Sequence, residues 1–399
     1  MLERLLNTSL LLYNGLLRAL ARRSRPEDPS PPVLLLTGTF HSSNWINAHL
    51  RPMLDSCRFR RVVMVSTSDV DFPEAIEVVQ PPAWLRRLGG DVGSRMLCFA
   101  ALALRLRPQM VGGFHLLFNG LAAILMARLI RARSLYFCVG GPAEVADGGL
   151  LSENKLFGRL GAPSQRIERQ LLKAVGHADA VVCMGSNAAT FMRDQTAAPL
   201  VVVNPGCVAQ GPIPDAEKRF DLVFLGRLAP IKNISAVLGA IAELKAQRMP
   251  VTLAVVGDGE LRSALEAEAR QLGVDDLVTF AGMQTDTASW LSRSRVFVLS
   301  SVSEGLSLSL MEALSVALPA IVPDVGDLGD LVKDGYNGRL LEQCTPATIA
   351  EAVRELLDEE RYETMSRAAA QSAAYVSPAR AAARWAHTMQ HLGWSECAV

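Results

Sequence analysis

Short apolar runs separated by stretches of helical spacing recur along the whole chain. In the first half they fall at Val33–Leu36, Val62–Val65, a run leading into Phe114–Leu121, Leu135–Val139, Ala180–Met184 and Val201–Val203. In the second half they fall at Leu222–Leu225, Val251–Val256, Val278–Phe280, Val296–Leu299, Ala320–Val322 and Gly338–Leu340. Runs that are mostly apolar at successive positions, as at Val33–Leu36 and Val296–Leu299, predict strands buried on both faces, as in a parallel sheet sandwiched by helices. Helical spacing follows at 44–54, up to Arg131, and up to about Gln247. The alternation runs its course and then starts again, which predicts an α/β fold of two doubly wound, Rossmann-like domains facing each other across a cleft. The divisions expected are 1–32 (an amphipathic helix and a Pro-rich charged linker), 33–213, 214–375, and a C-terminal helix at 376–399 that packs back on the first domain, with the hinge at Gly206–Pro214.

The densest polar pattern follows the strand at Val296–Leu299. Leu308, Met311, Leu314 and Ala317 repeat at helical spacing, Pro319 stops the helix, and Ser307 is a fitting cap. Glu304 and Gly305 occupy the turn before it, and Glu312 lies on the helix, about 7 Å along its axis from the start. One carboxylate at the mouth of a crevice and one on its wall suit a ligand that is part sugar and part nucleotide. Arg227 stands directly after the strand at Leu222–Leu225, and Lys232 lies near the next helix start. Two cations and free helix-start N–H groups can converge on a diphosphate there. The glycine spacing fits neither a P-loop nor a G-x-G-x-x-G turn.

In the first half, Gly38 follows the first strand, where a glycine lets backbone approach a ligand or simply makes a tight turn. His115 sits at the carboxyl end of its strand, either as a ligand contact or as a structural histidine. The Asp69–Asp71 D-x-D spacing reads as an exposed loop ahead of a metal site. The i, i+4 pair His387 and His391 reads as a solvated helix face.

Charge adds an asymmetry. The chain of 399 residues is formally neutral, but residues 1–210 carry 23 Lys+Arg against 15 Asp+Glu and the remainder 17 against 25. A basic first half suits an anionic acceptor or lipid surface, and the missing overall basicity argues against nucleic acid. The seven cysteines show no C-x-x-C pair and read as reduced thiols. Residues 1–20 place Leu2, Leu5, Leu6, Leu10, Tyr13, Leu16, Leu17 and Leu20 on one side of a helix. Three readings stand: packing on the protein or a partner, an interfacial membrane helix, or a signal peptide. The stretch Trp84–Arg107 mixes large apolar residues with arginines and is a second membrane-facing candidate beside an ordinary core helix.

Taken in order, G-R-L…K-N at 226–233, V-G-D-G-E at 256–260, F-A-G at 280–282, S-E-G-L-S at 303–307 with Glu304 and Glu312, L-P-A-I-V at 318–322 and K-D-G-Y-N-G-R-L at 333–340 resemble the second domain of the retaining glycosyltransferases of family four. Phe114-His115 and G-G-P-A-E-V at 140–145 resemble the first domain more loosely. The resemblance implies the GT-B fold, a nucleotide-diphospho-sugar donor, UDP- or GDP-linked, and no metal or other cofactor. It implies catalytic roles for Arg227 and Lys232 on the diphosphate, Glu304 on the donor sugar and His115 near its 6-position. It implies donor contacts at Gly38, Gly226, Gly257, Met283, Gly305, Leu306, Ser307 and Glu312, the last on the ribose. The glycine loop around Gly38 departs from the family pattern in having one glycine between threonines.

The function expected is metal-independent transfer of a sugar, with retention, to a lipid-linked or polysaccharide-precursor acceptor. The bacterial enzyme would be cytoplasmic, peripheral on the inner face of the plasma membrane. A synthase or phosphorylase for a small soluble sugar is the enzyme alternative, and a degenerate glycan- or nucleotide-binding partner subunit the non-enzyme one.

Overall fold

A computed structural model describes residues 1–20, 30–40, 42–151, 154–209, 211 and 217–394. The chain divides into two compact units, residues 1–206 with 381–399, and residues 207–380. The expected linker at 22–32 lies largely, and the hinge at 206–214 partly, outside the described residues.

The first unit is built on a parallel sheet of β1 (Val33–Thr37), β2 (Arg61–Val65), β3 (Ile76–Val79), β4 (Met110–Phe114), β5 (Arg133–Cys138), β6 (Ala180–Cys183) and β7 (Val201–Val203), in the order β3-β2-β1-β4-β5-β6-β7. Alternate residues of β1 serve the two faces, which is why the strand is apolar throughout. Leu34 and Leu36 join a core with Ile46 and Leu50 of α2 (Ser43–Asp55) and with Trp385 and Met389. Leu35 points the other way, to Phe99 and Ala103 of α3 (Ala83–Leu106) and Ala123 and Ala127 of α4 (Leu121–Ile130). The edge strand β3 escapes the sequence pattern because only Ile76 of its four residues is buried.

Helix α1 (Leu2–Ala19) packs within this unit against the helix Gln165–Val175, burying Leu10, Asn14 and Leu17. Tyr13 Oη donates to Leu121 O at 2.7 Å, Asn14 Nδ2 to Gln170 O at 3.0 Å, and Ser164 Oγ to a Glu3 carboxylate oxygen at 2.8 Å. The expected single leucine face is therefore two faces, because Leu5 and Leu16 of that set, together with Leu12, remain exposed on the far side. No described helix is long and apolar enough to cross a membrane. Helix α3 is broken at Gly90 (φ 63°). Beyond the break it buries Arg95, Phe99 and Ala103; before it, Trp84 and Leu88 are exposed.

The second unit carries β8 (Phe220–Leu225), β9 (Leu253–Val256), β10 (Val278–Gly282), β11 (Ser294–Val298), β12 (Ala320–Pro323) and β13 (Gly338–Leu341), all parallel, in the order β10-β9-β8-β11-β12-β13. The helix after β11 spans Leu308–Ser315 and ends earlier than the expected stop at Pro319. Ala317 turns left-handed (φ 63°), its N–H donating to Leu314 O and that of Leu318 to Ala313 O. This backbone motif closes the helix without needing the proline.

The docking of α1 gives a direct test. Leu17→Ala is expected to cost about 2–5 kcal/mol, read as faster amide exchange in residues 2–19 and 165–175 with the second unit unchanged. Unaltered exchange in those two segments would contradict the docking.

Candidate functional site

In both sheets the chain works outward from a first strand, returns, and continues on that strand's other side. The loops leaving the carboxyl ends of the two strands at this reversal diverge and open a crevice. In the second unit the reversal lies between β8 and β11. Loop 226–233 leaves β8 and loop 299–307 leaves β11, so Arg227, Lys232, Glu304, Gly305, Leu306 and Ser307 gather there.

The two loops are bound to each other. Val302 N donates to Ile231 O at 2.8 Å, and Ser300 Oγ donates to Lys232 O and Asn233 O, each at 2.9 Å. Across this join Lys232 Nζ meets Glu304 Oε1 at 2.6 Å, with side chains only 19% and 11% exposed. Ser301 Oγ donates to the same oxygen at 2.7 Å, and Glu304 Oε2 has no partner among the described residues. Lys232 and Glu304, expected on the diphosphate and on the sugar, are thus in direct contact. Arg227 is exposed in the first turn after β8.

Ser307 caps the helix Leu308–Ser315 by accepting from Leu310 N at 3.3 Å, so the first amide groups of that helix face the loop. Glu312, within the helix, is buried. Thr287 Oγ1 donates to its Oε2 at 3.3 Å, and burial pushes its carboxyl up to about 7, with the Thr287 bond pulling the other way.

Close backbone packing fixes the neighbouring turns. A Cβ on Gly257 (φ 139°) would lie 1.9 Å from Gly226 O, and Gly226 N donates to Val256 O at 3.0 Å. No other residue fits there. Gly257 N in turn donates to Gly282 O at 2.9 Å, and Met283 follows, 76% exposed, at the end of β10. The expected donor contacts of this unit therefore stand at the carboxyl ends of the four adjacent strands β10, β9, β8 and β11.

In the first unit, His115 directly follows β4 with φ 64°, a backbone state a non-glycine residue holds only under constraint. The constraint is Glu144, buried behind it. Glu144 Oε1 lies 3.0 Å from His115 Nδ1 and accepts from Gly140 N at 2.7 Å, while Oε2 accepts from Leu116 N at 2.6 Å and Tyr136 Oη at 2.7 Å. Burial alone would raise this carboxyl, yet His115 and these donors hold it below the ordinary range. With Nδ1 turned to the carboxylate, Nε2 is directed away from it, and the ring is half exposed.

Gly38 follows β1, but the space its missing side chain leaves is filled by Phe40, whose ring would be 2.5 Å from a Cβ. Asp69 and Asp71 are exposed in the loop after β2. His387 and His391 face each other on an exposed helix surface, Nε2 to Nε2 at 3.0 Å. The described residues contain no cluster of three or more His, Cys, Asp or Glu placed to hold a metal. Sequence reading missed Glu144 and Tyr136. The G-G-P-A-E-V run drew attention to the glycines, and only the fold shows its Glu turned back under His115.

Residues 210–373 match the model of the glycosyl transferases group 1 family. A D-inositol 3-phosphate glycosyltransferase of Catenulispora acidiphila is 35% identical over 148 residues, 34% of this chain and 35% of the relative. The Vi polysaccharide biosynthesis protein VipC/TviE of Salmonella typhi is 34% identical over 140 residues, 35% of this chain and 24% of that one. The chain thus spans about a third or less of the length of these curated relatives. The fold likeness is wider: Anabaena HepE, solved with UDP, superposes with a TM-score of 0.69 over 90% of this chain and 99% of its own, at 16% identity. Two parallel α/β units of this order share the GT-B fold of such neighbours, and residues 210–373, within which the second sheet lies, are the part that matches the glycosyl transferases group 1 family.

Proposed function

We propose that the chain is a retaining, metal-independent glycosyltransferase that takes a sugar from a UDP-linked donor to a lipid-linked or polysaccharide-precursor acceptor. The observation that carries this reading is the Lys232–Glu304 pair at the β8/β11 reversal, with Glu312 on the helix behind it. A nearly buried ion pair is a poor stabilising device, because desolvation offsets most of the attraction. It is a good way to hold a cation and an acceptor in place before a polar ligand arrives.

In the proposed complex the diphosphate lies against Lys232, Arg227 and the amide groups after Gly305. Glu304 Oε2 accepts from a sugar hydroxyl, and Glu312 accepts from the ribose. The bond from the anomeric carbon to phosphate oxygen breaks as the acceptor hydroxyl bonds to that carbon from the same face. The hydroxyl proton passes to the departing diphosphate, so the protein supplies no base. Negative charge grows on the leaving group, and fixed cations stabilise that state more than the bound donor. Glu144 keeps His115 Nε2 directed outward, open to a sugar hydroxyl.

A UDP donor is supported by the UDP in the Anabaena HepE structure. An envelope or lipid acceptor is supported by the named role of the Salmonella relative in polysaccharide biosynthesis and by two unpartnered apolar surfaces. One is the outer face of α1, with Leu5, Leu12 and Leu16; the other is the first part of α3, where Trp84 and Leu88 are 62% and 80% exposed beside Arg86 and Arg87. Together they suit peripheral contact with an anionic membrane.

Lys232→Ala and Glu304→Ala are each expected to lower kcat by about 10²–10³, measured as UDP release from UDP-sugar with or without acceptor. Unchanged turnover in both would place the site elsewhere.

Glu312 gives a pH signature. With its carboxyl lifted from 4.5 to about 7, the free protein is favoured by the protonated form, and that contribution is lost as pH rises through about 7. Ribose hydroxyls donate to the ionised form, so donor affinity runs the opposite way. UDP-glucose affinity is expected to rise about tenfold from roughly pH 6 to pH 8, with proton release on binding, and Glu312→Gln to flatten the profile. A flat profile in the unaltered protein would remove Glu312 from the site.

A further inference from the structure

The first sheet has its own reversal, between β1 and β4, and a cation lies beneath it. Arg95 of α3 is 3% exposed. Its Nη1 donates to Thr67 Oγ1, in the loop after β2, and its Nη2 to Asn119 Oδ1, in the loop after β4, each at 3.2 Å. Since β1 lies between β2 and β4, these bonds hold the guanidinium across the carboxyl end of β1. Both acceptors are neutral and both bonds are long. Nε, also buried, has no acceptor. No carboxylate among the described residues pairs with Arg95. Asp91, one turn earlier, is taken by Arg86 at 2.9 Å, and burial pushes the Arg95 guanidinium below its usual range, only partly offset by Asp91.

A second orphan lies at the carboxyl end of β1 itself. Thr37 closes β1, is fully buried, and its hydroxyl has no partner. The two-residue period puts Thr37 on the face of Leu35, the face that α3 covers. Its neighbour across the ladder, Gly113, has no room for a side chain, since a Cβ would meet the Asn119 backbone at 2.3 Å. That close approach brings the β4 loop down over the strand end. The buried groups left without a partner at this spot, Arg95 Nε–H and the Thr37 hydroxyl, can both donate. A buried guanidinium without a counter-charge costs stability that nothing in the chain returns. Donors converging at a strand-end crevice are complementary to an oxyanion.

We propose that Arg95 and Thr37 form an oxyanion subsite at the β1/β4 reversal, which receives a phosphate or carboxylate carried by the acceptor. This rests on the reading of the protein as a glycosyltransferase and narrows its acceptor to an anionic one.

The test is thermal unfolding of the full chain in saturating UDP, with inorganic phosphate added at constant ionic strength. Phosphate is expected to raise the melting temperature saturably, with an apparent affinity at least tenfold weaker in Arg95→Met and a smaller loss in Thr37→Val. Arg95→Lys, which keeps the charge without the fork, is expected to fall between and serves if the Met variant does not fold. No saturable shift in the unaltered protein, or the same shift in the Arg95 variants, would overturn the proposal. UDP added alone reports on the donor site separately, so failure of either reading is seen without the other. With donor present, Arg95→Lys should raise KM for a sugar-phosphate acceptor, and for phospholipid vesicles if the anion is a headgroup, and leave KM for a neutral sugar alone. Equal effects on charged and neutral acceptors would also overturn it.

Discussion

The arrangement of the second unit depends on one ion pair. Lys232 and Glu304 come from loops leaving neighbouring strands, and at 2.6 Å each is the other's nearest opposite charge. Neither loop holds its residue alone. Ser300 grips the carbonyls of 232 and 233, Val302 bonds to 231, and Ser301 shares the Glu304 oxygen. The glycine contacts between 226 and 257 fix the next turn, and the Ser307 cap fixes the start of the helix that carries Glu312. A polar cluster so braced loses little order when it meets a charged ligand, which is the condition for electrostatic stabilisation of a transition state.

The first unit repeats the device with different parts. Its reversal also collects charge at strand ends, but the pairing is split. His115 is backed by a buried carboxylate fixed by four contacts, while Arg95 is held by two neutral oxygens. The strained His115 backbone is tolerated because Glu144 receives the neighbouring amides as well as the ring. In both units the sheet is an ordinary buried scaffold, and the unusual groups lie beyond its carboxyl edge.

Much of this was legible in the sequence, for reasons that differ by element. The buried strands announce themselves because a parallel strand must be apolar on both faces, as in V-L-L-L at 33–36. The Ser307 cap and the β11 loop were legible because local chemistry dictates them. The half-exposed β3 was not, since a solvated edge strand lacks that pattern. Nor was the early end of the helix at Ser315, which is a backbone motif needing no special residue. The donor-side residues were marked by their order along the chain, but their mutual pairing is a fact of three dimensions. The burial of Glu144 and Arg95 was not legible, because a buried charge is defined by what surrounds it, and His115, Thr67 and Asn119 lie 24 to 29 residues from the charge each one meets. The outer leucines of α1 were read as one face with the inner ones because a helix wheel cannot say which side a neighbour covers.

The central claim is that the second unit binds a nucleotide-diphospho-sugar through Lys232. Calorimetric titration of UDP-glucose into the full chain and into its Lys232→Ala variant tests it most directly. Saturable heat for the unaltered chain and binding weakened at least tenfold, about 1.4 kcal/mol, in the variant is the result predicted. Equal binding in both, or no heat from any UDP- or GDP-linked sugar, would contradict the account.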